Sequence, residues 1–331
     1  ENGLMNQKTS GTPYYFEYTL KGEGEELWIP KFTYYGFRYV QVEGAVPEGY
    51  PNPGNLPVIT ELHSLHTRNS SPSVGEFECS NDLFNRTYRL IDWSVKSNLA
   101  SVTTDCPHRE KLGWLEQTHL MGNSIRYMYD IYNLYDKIID DMIMSQTEEG
   151  LVPDISPEYV EFVAGFRDSP EWGSSSIIVP WYLYKWYGDT RAMEKAYPMM
   201  KRYISYLGRK AENHILDHGL GDWYDLGPEN PGPAQLTPRY LTATSIYYYE
   251  LKLLSQMAEM LGKISDKDFY ANLAEQVRLA FNNQFFNTEE KKYATGSQTS
   301  YAMPLYFGMV DEAYEQEVRE NLAKEIKRND H

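Results

Sequence analysis

Residues 80–99, SNDLFNRTYRLIDWSVKSNL, are where the chain changes its period. Leu83, Phe84, Tyr88, Ile91 and Val95 recur at the spacing of a helix with one apolar face, and Ser80 stands where an N-cap belongs. Helical patterning dominates from there on. Helices are expected over about 80–98, 115–147, 174–188, 190–212, 239–262, 266–286, 298–309 and 311–328. Asp189 or Thr190 caps the fourth, and Gly262 closes the fifth. Apolar stripes such as Tyr247, Leu251, Leu254 and Met257 read as core.

Upstream, from Tyr14 to about Val58, the pattern is short and strand-like. YYFEYTL, GEGEELWIP and FTYYGFRYVQVEG carry aromatic and β-branched residues between Gly and Pro, as antiparallel strands of a sandwich would. Three or four strands cannot close a two-sheet core, so this reads as part of a β domain. Its completion is expected from residues outside this sequence or from the domain that follows. The division expected is a partial β-sandwich at 1–62, a linker at 63–79 and a mainly α domain at 80–331.

The eight helices pair, and three long loops separate the pairs: TTDCPHREKLGW, SPEYVEFVAGFRDSPEWG and LGDWYDLGPENPGPAQLTP. Long loops in a compact domain are usually functional, and these hold Trp, Asp and Glu. A toroid of helical hairpins would bring alternate connections to one rim.

Composition narrows the function. The 331 residues are 41% hydrophobic and carry 47 acidic against 31 basic side chains, a formal charge of −16 that repels nucleic acid and acidic membranes. No apolar run reaches membrane-spanning length and no signal pattern opens the chain, although a longer precursor with one stays open. Cys79 and Cys106 read as free thiols. Aromatic residues make up 15%, several Trp stand beside Gly, Asp or Glu, and flat aromatic faces with carboxylates suit sugar rings.

The densest chemistry is in TDCPHREKLGWLEQTHLMG, residues 104–122. Glu110 could be a proton-donating acid, its proton held by nearby Asp105 and partial burial, with Arg109 clamping substrate hydroxyls or a neighbouring carboxylate. The spacing alone favours an Arg–carboxylate network that merely ties the loop to the barrel. His108 and His119 do not form a metal-ligand pair, GxSxG is absent, and KGEGE is not a phosphate-binding loop, so no metal or cofactor is expected. Trp172 in SPEWG and Trp223 in GDWYD, flanked by Glu171 and Asp222, are either sugar platforms or packing residues of the hairpin connections.

These motifs resemble the bacterial α-L-rhamnosidases, inverting glycoside hydrolases whose (α/α)6 barrel follows β-sandwich domains. The resemblance runs through FTYYGFRYVQVEG, GEFECSNDLFNRTYRLIDWSVKSNLASVTTDCPHREKLGW, WYLYKWYGDTRAMEKAYPMMKRYISYL, GDWYDLGP and SQTSYAMPLYFGMVDE, in order. It implies that Glu110 of EKLGW is the general acid. It also implies that Asp105, Arg109, Trp114, Trp172 and Trp223 line the rhamnose pocket, with Asp222 of GDW beside them.

The chain departs from the family signature DCPQRDERLGWTGDAQ in lacking one residue between Arg and the acid. Gln117 stands where the signature has a rim aspartate, and Ser174 where an aspartate often follows Trp-Gly. No TTLWEHW-like segment, which would carry the base, occurs in the sequence. The expectation is therefore an incomplete toroid of about eight of twelve helices, with the base outside these residues. Such a chain would be inactive alone and prone to self-association through an uncovered edge. A rhamnose-containing oligosaccharide, polysaccharide or glycoside is the expected ligand, and a longer parent would be periplasmic or extracellular. A carbohydrate-binding relic, or an (α/α)6 hydrolase or lyase acting on uronic-acid glycans, is the rival reading.

Overall fold

The structure is a computed structural model that describes residues 4–7 and 14–328. Two compact units divide the chain, Glu1–Leu112 and Gly113–His331.

In the first unit most of the strand-like sequence forms no ladder among the described residues. Its ladder is a two-residue parallel pair, β1 (Val46–Pro47) with β2 (Val58–Ile59), in place of the antiparallel strands expected from the alternation. The aromatic residues of 14–35 still find one another: Phe16 meets Trp28 and Tyr35, and Tyr18 stacks on Trp28. Most of them stay exposed. Helix α1 (Asp82–Asn98) starts one residue later than the sequence suggests. Asn81, not Ser80, is its N-cap, its side chain accepting from Leu83 N at 3.0 Å. Of the apolar positions at helical spacing, Val95 is buried while Leu83, Phe84 and Ile91 are exposed.

The second unit is helical: α2 (Leu115–Ile125), α3 (Tyr132–Ser145), the single turn α4 (Pro170–Gly173), α5 (Ser175–Tyr187), α6 (Arg191–Lys210), α7 (Arg239–Met260), α8 (Ile264–Phe285), α9 (Gln298–Phe307) and α10 (Glu315–Arg328). The expected single helix over 115–147 is two. Asp130 Oδ1 accepts from Tyr132 N at 3.1 Å and starts a new helix, while Ile131 N donates to Tyr187 Oη. The break leaves no mark on the apolar pattern because Ile125, Met128, Tyr129, Ile131 and Leu134 are all buried. A short antiparallel ladder, β3 (Phe286–Asn287) with β4 (Lys292–Tyr293), joins α8 to α9.

The helices form two layers. In the inner one α2 packs on α5, α5 on α7 and α7 on α9. In the outer one α3 and α6 lie against α5, α8 against α7 and α10 against α9. This is the order of an α/α toroid built from hairpins α2–α3, α5–α6, α7–α8 and α9–α10. The sequences match their layers: α7 buries residues on nearly every side, from Leu241 to Ala258, whereas α6 buries Met193, Met200, Tyr203 and Leu207 on one side and keeps Arg191, Lys201 and Arg202 outside. Because the helices alternate in direction, the inner ones all begin at one end. There Ser175 Oγ donates to Leu115 O (2.6 Å), and Thr237 and Ser297 share a hydroxyl hydrogen bond (2.6 Å).

Candidate active site

The signature loop of the first unit is closed by its own backbone and by Asp105. Asp105 N donates to Leu112 O at 3.1 Å, and Asp105 Oδ1 accepts from Leu112 N at 2.8 Å. One oxygen of the residue expected to bind substrate is thus engaged in shaping the loop. Glu110 N donates to Cys106 Sγ, and Arg109 Nη2 donates to Glu110 Oε1 at 2.7 Å. Of the two roles expected for Arg109, the structure shows the one toward a neighbouring carboxylate.

The N-terminal segment holds this loop from the same unit. Gly36 N donates to Pro107 O at 2.8 Å, and a Cβ on Gly36 would lie 3.2 Å from His108 Cβ, so a larger residue would crowd this approach. Tyr14 Oη donates to Arg109 O, and the Lys111 ammonium donates to Tyr34 O while lying over the Tyr35 ring.

In the second unit the long loops meet at the starts of the inner helices. Leu220 N donates to Ser169 Oγ (2.9 Å), and Phe166 meets Trp223 edge to face at 5.3 Å. Trp114, just before α2, continues the row: its ring lies 5.2 Å from Phe162, which neighbours Phe166. Trp114, Phe162, Phe166, Trp223 and Tyr224 thus make one partly exposed aromatic edge. Trp172 departs from the expected platform. It is 3% exposed, filling the turn of α4, because a ring at the third position of that turn faces the helix layers.

Beside this edge stand three carboxylates. Asp222 Oδ2 accepts from Thr299 Oγ1 at 2.6 Å. Glu171 Oε1 accepts from Thr242 Oγ1 at 2.6 Å, and its Oε2 is buried without a hydrogen-bond partner. Glu116 lies in the first turn of α2. Burial, aided by the charge of Asp222, pushes the Glu116 carboxyl up to about 7. Burial likewise raises Glu171 to about 7 against the pull of Thr242, with Glu116 and Asp222 adding to the rise. Gln117 has a buried Oε1 without a partner.

His119, read as a helix histidine, is buried and lowered to about 4 by desolvation, hence neutral. Its Nε2 lies 2.8 Å from the carbonyl of Glu171, an acceptor only, so Nε2 carries the proton. Ser174 is buried and donates to the same carbonyl at 2.9 Å. Among the described residues no group of three or more His, Cys, Asp or Glu is placed to hold a metal ion, and no helix is long and apolar enough to cross a membrane.

Sequence reasoning placed Asp222, Trp223, Trp114 and Gln117 at this end but left out Glu116 and treated Glu171 only as a neighbour of Trp172. Their signal was position: each is an acid in the first turn of a helix that opens at the rim.

Residues 72–331 match the bacterial α-L-rhamnosidase six-hairpin glycosidase domain, and residues 2–63 the bacterial α-L-rhamnosidase concanavalin-like domain. The chain belongs to this family. An α-L-rhamnosidase of Formosa agariphila is 32% identical over 326 residues, covering 94% of this chain and 33% of the relative. One from Streptomyces avermitilis is 30% identical over 315 residues, covering 95% and 28%. The chain spans about a third of the length of the curated relatives it matches. Among solved structures, the Aspergillus terreus rhamnosidase superposes with a TM-score of 0.80 at 28% identity, covering 94% of this chain and 36% of that one. The Streptomyces avermitilis enzyme, solved with L-rhamnose, gives 0.72 at 27% identity, covering 80% and 24%.

Proposed function

We propose that this chain of the bacterial α-L-rhamnosidase family belongs to a glycoside hydrolase that removes terminal α-L-rhamnose from glycans or glycosides with inversion. The observation that carries this is the aromatic edge from Trp114 to Trp223 beside Asp222, Glu116 and Glu171, flat faces with hydrogen-bond acceptors suited to a polyhydroxylated ring. The domain division proposed is 1–62 for a partial sandwich, 63–79 for a linker and 80–331 for the toroid.

In this reading Glu110 donates its proton to the glycosidic oxygen as the C1–O bond breaks. A base carboxylate takes a proton from a water that attacks the opposite face. The two carboxyls of inverting enzymes stand roughly 6.5–9.5 Å apart, leaving room for that water. The base is proposed to lie outside these 331 residues, so that this chain alone is inactive. Trp114, Trp223, Asp222 and Gln117 are assigned to the sugar, Asp105 and Arg109 to the acid's loop, and Trp172 to the floor beneath Glu171. Self-association through an uncovered toroid edge is part of the same reading and is measured by sedimentation of this chain.

A sugar-binding relic is the second reading, favoured by Gln117 and Ser174 at positions where the family signature has carboxylates. One experiment separates them: the full-length protein is given 4-nitrophenyl α-L-rhamnoside and the first-released sugar is followed by proton NMR. Release of β-L-rhamnose before mutarotation is expected. Release of the α-anomer contradicts inversion, and L-rhamnose binding without turnover favours the relic.

A further inference from the structure

The Ser174 hydroxyl is taken up within its own turn, donating to Glu171 O. Gln117 supplies an amide in place of a carboxylate. Acidic groups nonetheless stand close to both positions: Glu116 precedes Gln117 by one residue, and Glu171 precedes Ser174 by three. The geometry points to Glu116 and Glu171, acids in the first turns of two helices that open at this rim, as hydroxyl-binding carboxylates of the sugar pocket. This inference rests on the sugar-binding part of the reading above.

Glu171 is held for such a task. Thr242 fixes Oε1, while His119 and Ser174 both bond its carbonyl and so fix its backbone. Oε2 is left buried and unpartnered, as is Gln117 Oε1 one residue after Glu116. Two buried acceptors at one rim, each costing about 1–3 kcal/mol while unpaired, call for a ligand rich in donors. Gly219 adds to the case. A Cβ there would stand 3.2 Å from Glu171 Oε2, so a side chain at 219 would crowd that oxygen.

The ligand class follows from what surrounds these acceptors. An anion is excluded by three carboxylates. The donor set is not placed for a metal ion. A neutral polyol supplies hydroxyl protons to Glu171, Glu116 and Asp222 and presents C–H faces to the aromatic edge. Hydroxyl donors also favour the ionised carboxylates that burial opposes, so each bond formed offsets part of that penalty.

The test uses the full-length protein, its Glu116→Gln, Glu171→Gln and Glu171→Asp variants, and calorimetric titration with L-rhamnose and its 2-, 3- and 4-deoxy analogues. Thermal midpoints accompany each titration, to establish that the variants are folded. Glu171→Gln should bind L-rhamnose about 10-fold or more weakly, and that penalty should disappear for the one analogue lacking the hydroxyl that Glu171 accepts; Glu116→Gln should show its own matching analogue. A structural role would weaken all four sugars alike, and that result, or no loss at all, overturns the inference. Wild-type protein that ignores L-rhamnose but binds another monosaccharide with the same variant pattern would sink the rhamnose reading and keep this one. Binding of no monosaccharide would sink both.

Discussion

Thr242 Oγ1, in the first turn of α7, donates a 2.6 Å hydrogen bond to Glu171 Oε1 in α4. It links two starts of the inner layer and is the bond that favours the charged form of a carboxyl that burial raises. Thr242→Val keeps the shape and removes the donor. The carboxyl should then rise further, and the variant should lose about 1–3 kcal/mol of stability above pH 8, where Glu171 is ionised, and less at pH 5. Thermal denaturation at the two pH values reads this; equal losses would contradict it.

Glu116 and Glu171 also set a pH dependence of the wild type. Both are raised in the fold to about 7 from an ordinary value near 4.5, so between those values the folded chain binds more protons than the unfolded one. Stability from this source is full below about pH 4.5 and falls as pH rises through 7. A Glu116→Gln, Glu171→Gln double variant should flatten the decline between pH 5 and 8, by on the order of 5 kcal/mol. A steeper decline in the variant would reverse the sign argued here.

Gly219 has φ of +99°, and a Cβ on it would come within 3.0 Å of Pro170 Cδ and 3.2 Å of Ser169 Cα. Gly219→Ala should therefore cost about 1–3 kcal/mol through backbone strain and crowding. It should also weaken sugar binding by displacing Glu171. Chemical denaturation and titration check the two effects, and unchanged values in both would remove Gly219 from the site.

Two tryptophans that look alike in sequence should behave differently. Trp172 is buried, so Trp172→Ala should cost about 3–5 kcal/mol in stability. Trp223 is partly exposed on the aromatic edge, and Trp223→Ala should instead mainly weaken sugar binding or raise KM. Reversed effects would exchange their roles.

That contrast shows how far the sequence could be read. Periodicity marked the inner helices because α7 is apolar at Tyr247, Leu251, Leu254 and Met257, and every one of these is buried. It missed the break at Arg126–Ile131, since buried residues run through it and only the Asp130 side chain signals a new start. The Trp-plus-acid loops do meet at one end of the helical unit, yet within one of them the Trp172 ring turns inward while Glu171 Oε2 keeps no hydrogen-bond partner. Neighbours in sequence share a loop, but which one faces the rim is decided by the helix turn they occupy. In the strand-like region, alternation identified residues suited to a sheet but not their pairing, which depends on partners distant in the chain.

Glu110 is proposed to supply the proton for glycosidic cleavage. The most direct measurement is Glu110→Gln in the full-length protein, compared with wild type on an alkyl α-L-rhamnoside and on 4-nitrophenyl α-L-rhamnoside. Turnover of the alkyl substrate, whose poor leaving group needs the proton, should fall by about 10²-fold or more, and the nitrophenyl substrate should suffer least. Equal activity of variant and wild type on the alkyl rhamnoside would contradict the account.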